Sequence, residues 1–105
     1  MEGPDPKTRP APADEALTEF SVIPPYKVLL HNDEITPMDF VVETLQRFFL
    51  PDRERAMDVM ATAHNQGVAV VAIMPLEHAE FKVEQAHDHA RANGFPLTFS
   101  IEPAE

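Results

Sequence analysis

The amino-acid sequence predicts an α+β fold: a three-stranded antiparallel sheet packed against three helices, in the order β-α-α-β-α-β. Three observations lead there. Tyr26–His31 and Leu97–Ile101 alternate apolar and polar positions, and Val68–Met74 is a continuous β-branched apolar run, so three short strands are expected. Three other stretches repeat apolar residues every three or four positions, the period of a helix with one buried face. Proline, glycine, asparagine and aspartate fall between these stretches and punctuate them. Periodicity leaves the strand order open.

Residues 1–24 hold Pro4, Pro6, Pro10, Pro12 and Pro24 with mixed charge and few large apolar side chains. Such a segment buries too little to offset its ordering entropy, so a disordered, flexible N-terminal extension is expected. Leu17, Phe20, Val22 and Ile23, near its end, are placed to dock on the domain or on a partner. The folded domain is expected over residues 25–105. In the first strand Tyr26, Val28 and Leu30 share a face. Thr36 has the chemistry of a helix N-cap, Pro37 suits the first helical position, and Asp39 would complete a capping box. Met38, Val41, Val42, Leu45, Phe48 and Phe49 form that helix's apolar face, and Leu50-Pro51 ends it. Asp52 is a cap for a second helix with face Ala56, Val59, Met60 and Ala63, and Gly67 is its stop. The Val68–Met74 run reads as a strand with both faces at least partly covered. Pro75 opens a third helix with Leu76, Ala79, Val83, Ala86 and Ala90 on one side, stopped by Asn93-Gly94.

Composition narrows the function. A chain of 105 residues is one small domain. It has no cysteine, so disulfide staples and a thiol nucleophile are both unavailable, and a reducing cytoplasm is the expected location. No apolar run approaches the roughly 18–20 residues that span a bilayer, and the acidic, proline-rich N-terminal region is unlike a signal peptide. The formal net charge of −10 argues against nucleic acid and anionic membranes, whose binders carry excess Lys and Arg. Cationic ligands or a basic partner surface fit better.

Asn32, Asp33 and Glu34 lie between a strand and a helix. Turn chemistry accounts for such residues. They would also bind a cation or an ammonium, which offers three donors and needs several converging acceptors, one of them charged. His64, near the end of the second helix, is explained by the helix dipole when charged; as a neutral imidazole it could accept from the same ammonium. Met38, Val41, Met60 and Ala63 are core positions by pattern, yet Met adapts to differently shaped apolar groups, and a pocket for a Leu or Phe side chain could be cut from them. A free peptide N-terminus with an apolar first residue combines both demands. His87 and His89 stand at i and i+2 of one helix and do not face each other, so solvated helix positions rather than a metal site are expected. Ser21 and Ser100 sit in no nucleophile elbow, and the three glycines form no phosphate cradle, so neither catalysis nor nucleotide binding is expected.

Taken together, Tyr26-Lys27-Val28-Leu29-Leu30, His31-Asn32-Asp33-Glu34-Ile35-Thr36-Pro37-Met38, Ala63-His64-x-x-Gly67, Glu80-x-Lys82-Val83 and Pro96-Leu97 closely resemble the ClpS family, the adaptors of ATP-dependent Clp proteases. The resemblance covers about residues 24 to 103. It implies a monomeric, cytoplasmic, non-enzymatic adaptor without cofactor or metal. Such an adaptor binds substrates bearing N-degrons (N-terminal Phe, Tyr, Trp or Leu) and delivers them to the N-terminal domain of a ClpA- or ClpC-like AAA+ unfoldase.

By match to the family motif, Asn32, Asp33 and His64 would hold the substrate α-amino group. Leu30, Ile35, Thr36, Met38, Val41, Met60, Ala63 and Leu97 would border the pocket for the first side chain, with Met38 where the family excludes β-branched residues. Glu77 and Lys82 would face the unfoldase, and the N-terminal extension would serve in hand-off. Two positions depart from the family pattern. Glu34 replaces a usual second Asp, which keeps the charge on a longer arm. Ala63 is smaller than the usual branched residue, which leaves a roomier pocket favouring aromatic side chains. The rival expectation is a structural interaction module, such as a ribosomal-stalk-like domain, with no ammonium site; a small metal-dependent hydrolase is more remote.

Overall fold

The computed structural model describes residues 23–105. The expectations placed on residues 1–22, including Leu17, Phe20 and Val22, lie outside the described residues. The elements run β1 (Pro25–His31), α1 (Met38–Phe48), α2 (Arg53–Gln66), β2 (Val68–Pro75), α3 (Leu76–Ala92) and β3 (Thr98–Pro103). This is the expected order. β1 is the central strand, antiparallel to β2 on one side and β3 on the other, giving the sheet order β2-β1-β3.

All three helices pack against one another or against the inner face of the sheet. Val28 and Leu30 of β1, Leu45 of α1, Val71 of β2, and Leu97 and Phe99 around β3 are almost wholly buried there. Alanine fills the close helix contacts: Ala56 and Ala63 on α2, and Ala79, Ala86 and Ala90 on α3.

Three expectations need correction. β2 is an edge strand covered on one face only: Val68, Val70 and Ile73 are exposed, Ile73 by 60%. Its apolar run is continuous because a register shift at Val28/Leu29 inserts Val71 as an extra residue, so that the inward positions pass from Ala69 and Val71 to Ala72 and Met74. The Thr36–Asp39 capping box does not form. The α1 cap is Pro37, and the Thr36 hydroxyl donates instead to Asp33. His87 and His89 are not solvated. His89 stacks on Phe40 with ring centroids 5.1 Å apart and bonds Glu43 at 3.0 Å, while His87 Nε2 accepts the Phe99 N–H at 2.9 Å.

The second helix is punctuated as its sequence indicates. Asp52 accepts the Glu54 N–H at 3.1 Å, and Gly67 turns left-handed with φ 93° while donating to the Ala63 carbonyl at 2.8 Å. The Gly67 carbonyl then accepts the Asn32 N–H at 3.0 Å. This bond stitches the end of β1 to the end of α2 and thereby places the Asn32–Thr36 loop beside His64.

Candidate functional site

Where the two ends are stitched, a cleft of about 250 Å³ opens. Its walls are Leu30, His31, Asn32, Asp33, Glu34, Thr36, Met38, Val41, Met60, Ala63, His64 and Leu97. Ligand pockets for drug-sized molecules run from about 300 Å³ upward, so this volume suits one amino-acid side chain and its backbone head.

The floor is aliphatic. Leu30, Val41, Ala63 and Leu97 are buried, and they come from β1, α1, α2 and the approach to β3. Met38, the first residue of α1, is 49% exposed at the cleft and forms an adaptable lip. The rim is polar: Asn32, Asp33 and Glu34 follow β1, and His64 projects from the last turn of α2.

Asp33 organises the rim. Its Oδ1 accepts the backbone N–H groups of Ile35 at 2.9 Å and Thr36 at 2.7 Å, and its Oδ2 accepts the Thr36 hydroxyl at 3.0 Å. A carboxylate offers about four acceptor sites, so Oδ2 keeps one free for a ligand. Partial burial works to raise the Asp33 pKa. The Thr36 and Ile35 N–H groups, the Thr36 hydroxyl and the Arg91 charge outweigh it and hold the carboxyl below its ordinary value. The rim therefore carries a fixed negative charge at neutral and mildly acid pH.

The structure brings together all three residues assigned by resemblance to the α-amino group, Asn32, Asp33 and His64. Seven of the eight assigned to the pocket join them. Ile35 does not: it is 69% exposed and outside the walls, because the turn closed by Asp33 uses its backbone N–H and leaves its side chain in solvent. Glu77 and Lys82 lie away from the cleft on α3. Glu77 lines a separate apolar groove with Ile23, Pro24, Tyr26, Pro75 and Leu76, and Phe81, one turn further along, is 58% exposed.

Sequence reasoning overlooked two residues. His31 lines the cleft, with its Nε2 within 2.6 Å of Ser100 Oγ across the sheet; its position next to Asn32 was the available signal. Arg91 bonds backbone carbonyls, which leave no mark in a motif. Among the described residues there is no cluster of His, Asp and Glu that could hold a metal ion, and no helix is long and apolar enough to cross a membrane. A convergent acceptor rim over an aliphatic floor can do one thing chemically: hold a cationic head and an apolar group that are joined at short range.

The chain is similar to known proteins over most of its length. The family model described as the ATP-dependent Clp protease adaptor protein ClpS matches residues 22–100. The ATP-dependent Clp protease adapter protein ClpS of Shewanella loihica is 45% identical over 92 residues, covering 86% of this chain and 90% of that protein. The structure of Agrobacterium tumefaciens ClpS2 bound to L-phenylalaninamide superposes with a TM-score of 0.75 at 41% identity, over 77% of this chain and 98% of that one.

Proposed function

This chain belongs to the ClpS family of ATP-dependent Clp protease adaptors, and from that membership we propose that its cleft captures the free N-terminal residue of substrate proteins, favouring Phe, Tyr, Trp and Leu. The observation that carries the reading is the junction of rim and floor: the acceptors of Asn32, Asp33 and His64 stand directly above the buried Leu30, Val41, Ala63 and Leu97. The ligand of the related ClpS2 supports it, since phenylalaninamide combines a free α-amino group with a benzyl side chain.

In this reading the α-ammonium donates to the free site on Asp33 Oδ2, to the Asn32 side-chain oxygen and to a neutral His64 imidazole. The first side chain enters between Met38, Met60 and Leu97. Burying it supplies affinity, roughly 1.5–3 kcal/mol for a fully buried Leu or Phe. The ammonium supplies specificity, because the same residue inside a chain has no charge to offer. Met38 stands where a β-branched first residue would crowd the lip.

The protein acts by binding and carries out no chemistry of its own. As an adaptor of the cytoplasm it works as a monomer, with residues 25–105 as the binding domain. It passes the captured chain to a ClpA- or ClpC-like AAA+ unfoldase, whose N-terminal domain is met by the Glu77 and Lys82 face of α3. Residues 1–24 serve the hand-off: deleting residues 1–22 is expected to leave peptide binding intact and to stop delivery.

The test is fluorescence anisotropy with short peptides beginning with Phe, Leu, Val or Ala, each with a free or acetylated N-terminus. Binding of the free Phe and Leu peptides alone supports the reading. Binding of none, or equal binding of the acetylated forms, overturns it and leaves a structural interaction module on the same fold.

A further inference from the structure

One wall of the cleft is held by a side chain that does not line it. Leu97, almost fully buried, enters the cleft from the turn joining α3 to β3. That turn begins at Gly94, whose φ of 82° is left-handed, and passes through Pro96, which has no N–H to give. Backbone bonds from Gly94 to Arg91 and from Phe95 to Ala90 fix its start. The carbonyls that follow are held by Arg91 in the last turn of α3: its Nη1 donates to Phe95 O at 3.0 Å and to Leu97 O at 2.8 Å. Phe95 in turn packs edge-on against Phe40 of α1, with ring centroids 4.7 Å apart. Arg91 also exerts a lesser electrostatic influence on the Asp33 carboxylate of the rim.

We infer that Arg91 is a positioning residue of the cleft: its guanidinium grips the Phe95 and Leu97 carbonyls and so sets the Leu97 side chain as the wall a first residue packs against. The inference rests on the N-degron reading of the cleft. Arginine suits the task. It is charged at every working pH, and a charge-assisted bond to a carbonyl is about twice as strong as a neutral one. Its charge is also the least of the influences that hold the Asp33 carboxyl below its ordinary value.

The test uses the full-length protein and a free Phe-peptide, comparing wild type, Arg91→Gln, Arg91→Lys, Leu97→Ala and the Arg91→Gln/Leu97→Ala double variant. The Asp33 carboxyl is titrated by NMR in each. Arg91 is solvent-exposed, so a loss of about three- to tenfold in affinity is expected for Arg91→Gln, the range of a modest net hydrogen-bond contribution. The Asp33 titration should move upward in Arg91→Gln and return toward wild type in Arg91→Lys, which restores the charge; a role in general stability would not give this pattern. In the double variant the loss should be clearly smaller than the product of the two single losses, because removing the side chain that Arg91 positions removes most of the reason to position it.

Strictly multiplying losses, or wild-type affinity in Arg91→Gln, would overturn the inference. If Arg91→Gln does not fold, Arg91→Lys and its own double variant with Leu97→Ala carry the same cycle. If the wild type itself binds no peptide, the N-degron reading fails instead, and an unmoved Asp33 titration in Arg91→Gln would then refute the Arg91–Asp33 coupling separately.

Discussion

Replacing Asp33 by Asn separates the two tasks that its carboxylate performs. In the structure Oδ1 closes the loop through the Ile35 and Thr36 N–H groups, and Oδ2 binds the Thr36 hydroxyl with one acceptor site to spare. An Asn side chain keeps an oxygen in the Oδ1 position, so both backbone bonds survive, and its amide can donate to a rotated Thr36 hydroxyl. Only the charge and the free acceptor are lost. A hydrogen bond to a charged partner contributes about 1.5–3 kcal/mol, which corresponds to a loss of roughly 10- to 150-fold in affinity for a free Phe-peptide. Asp33→Ala loses the loop bonds as well and should lower stability by about 1 kcal/mol, the usual cost of losing a capping side chain. In a domain of 60–100 residues that is a fall in Tm of about 4–8 °C. Anisotropy titrations and thermal melts of both variants give the two readouts. The expected pattern is a binding defect in both variants and a stability defect in Asp33→Ala alone. Wild-type affinity in Asp33→Asn would refute the ammonium role, and an equal Tm loss in both variants would refute the division of labour.

Four further outcomes follow from other parts of the fold. Ala63→Val adds two methyl carbons to the cleft floor; at about 0.8 kcal/mol per buried carbon, competition titrations should show preference shifting from Trp- toward Leu-peptides by three- to tenfold, whereas an unchanged ranking would mean that Ala63 does not set the depth. Burial, the largest influence, and the Arg91 charge hold the His87 pKa below its ordinary value, with Asp88 opposing; the stability this brings is complete above about pH 6.5 and is lost as pH falls through the depressed value, so urea midpoints should fall more between pH 7 and pH 5 in wild type than in His87→Gln, whose side-chain oxygen can still accept from Phe99. Gly67→Ala meets no atom within 4 Å of the added carbon, so only its left-handed φ of 93° is strained; melting should show a loss of about 1–2 kcal/mol. Thr44→Val removes a fully buried hydroxyl with no hydrogen-bond partner among the described residues and should raise stability by about 1 kcal/mol in urea titrations, while a decrease would mean that the hydroxyl is satisfied in solution.

What the sequence made legible was whatever is written in local spacing. The helix faces, the Asp52 and Gly67 boundaries and the order of elements along the chain all follow from patterns a few residues long. The misreadings share a physical origin, in that each depends on a partner distant in sequence or on a competition among neighbours. Thr36 looks like a cap, but Asp33 three residues earlier claims its hydroxyl and its N–H. The β2 run looks buried on both faces because a bulge at Val71 inserts an extra apolar residue into an edge strand. His87 and His89 look solvated on their own helix, yet Phe99 and Phe40 arrive from β3 and α1 to cover them. The residues themselves suggested Asn32, Asp33 and His64, the resemblance added Leu97, and the structure places all four on one cleft; nothing in the sequence pointed to Arg91, whose partners are carbonyls.

The proposed selectivity is a matter of distance as much as of charge. A chain with a net charge of −10 attracts any cation, so attraction alone would favour lysine side chains, which are far commoner than N-termini in a proteome. In the proposed reading the cleft rejects them by its shape. A lysine ammonium ends a flexible four-carbon stem, with no apolar branch beside the charge. An N-terminal residue carries ammonium and side chain on one Cα. Leu30 of the floor and Asn32 and Asp33 of the rim fall within four residues of chain in β1 and the loop after it, and the Asn32 N–H ties that loop to the Gly67 carbonyl at the end of α2 by a 3.0 Å bond. Charge and apolar wall therefore come from one short stretch of chain, an arrangement that suits an N-terminal residue, with ammonium and side chain on one Cα, better than a lysine. A free lysine side chain on an acetylated peptide should accordingly fail to compete with a Phe-peptide, even at low ionic strength where surface attraction is strongest. Competition that appears at low salt and disappears at physiological salt would locate the lysine on the acidic surface; competition that persists would place it in the cleft and remove the geometric basis of the proposed specificity.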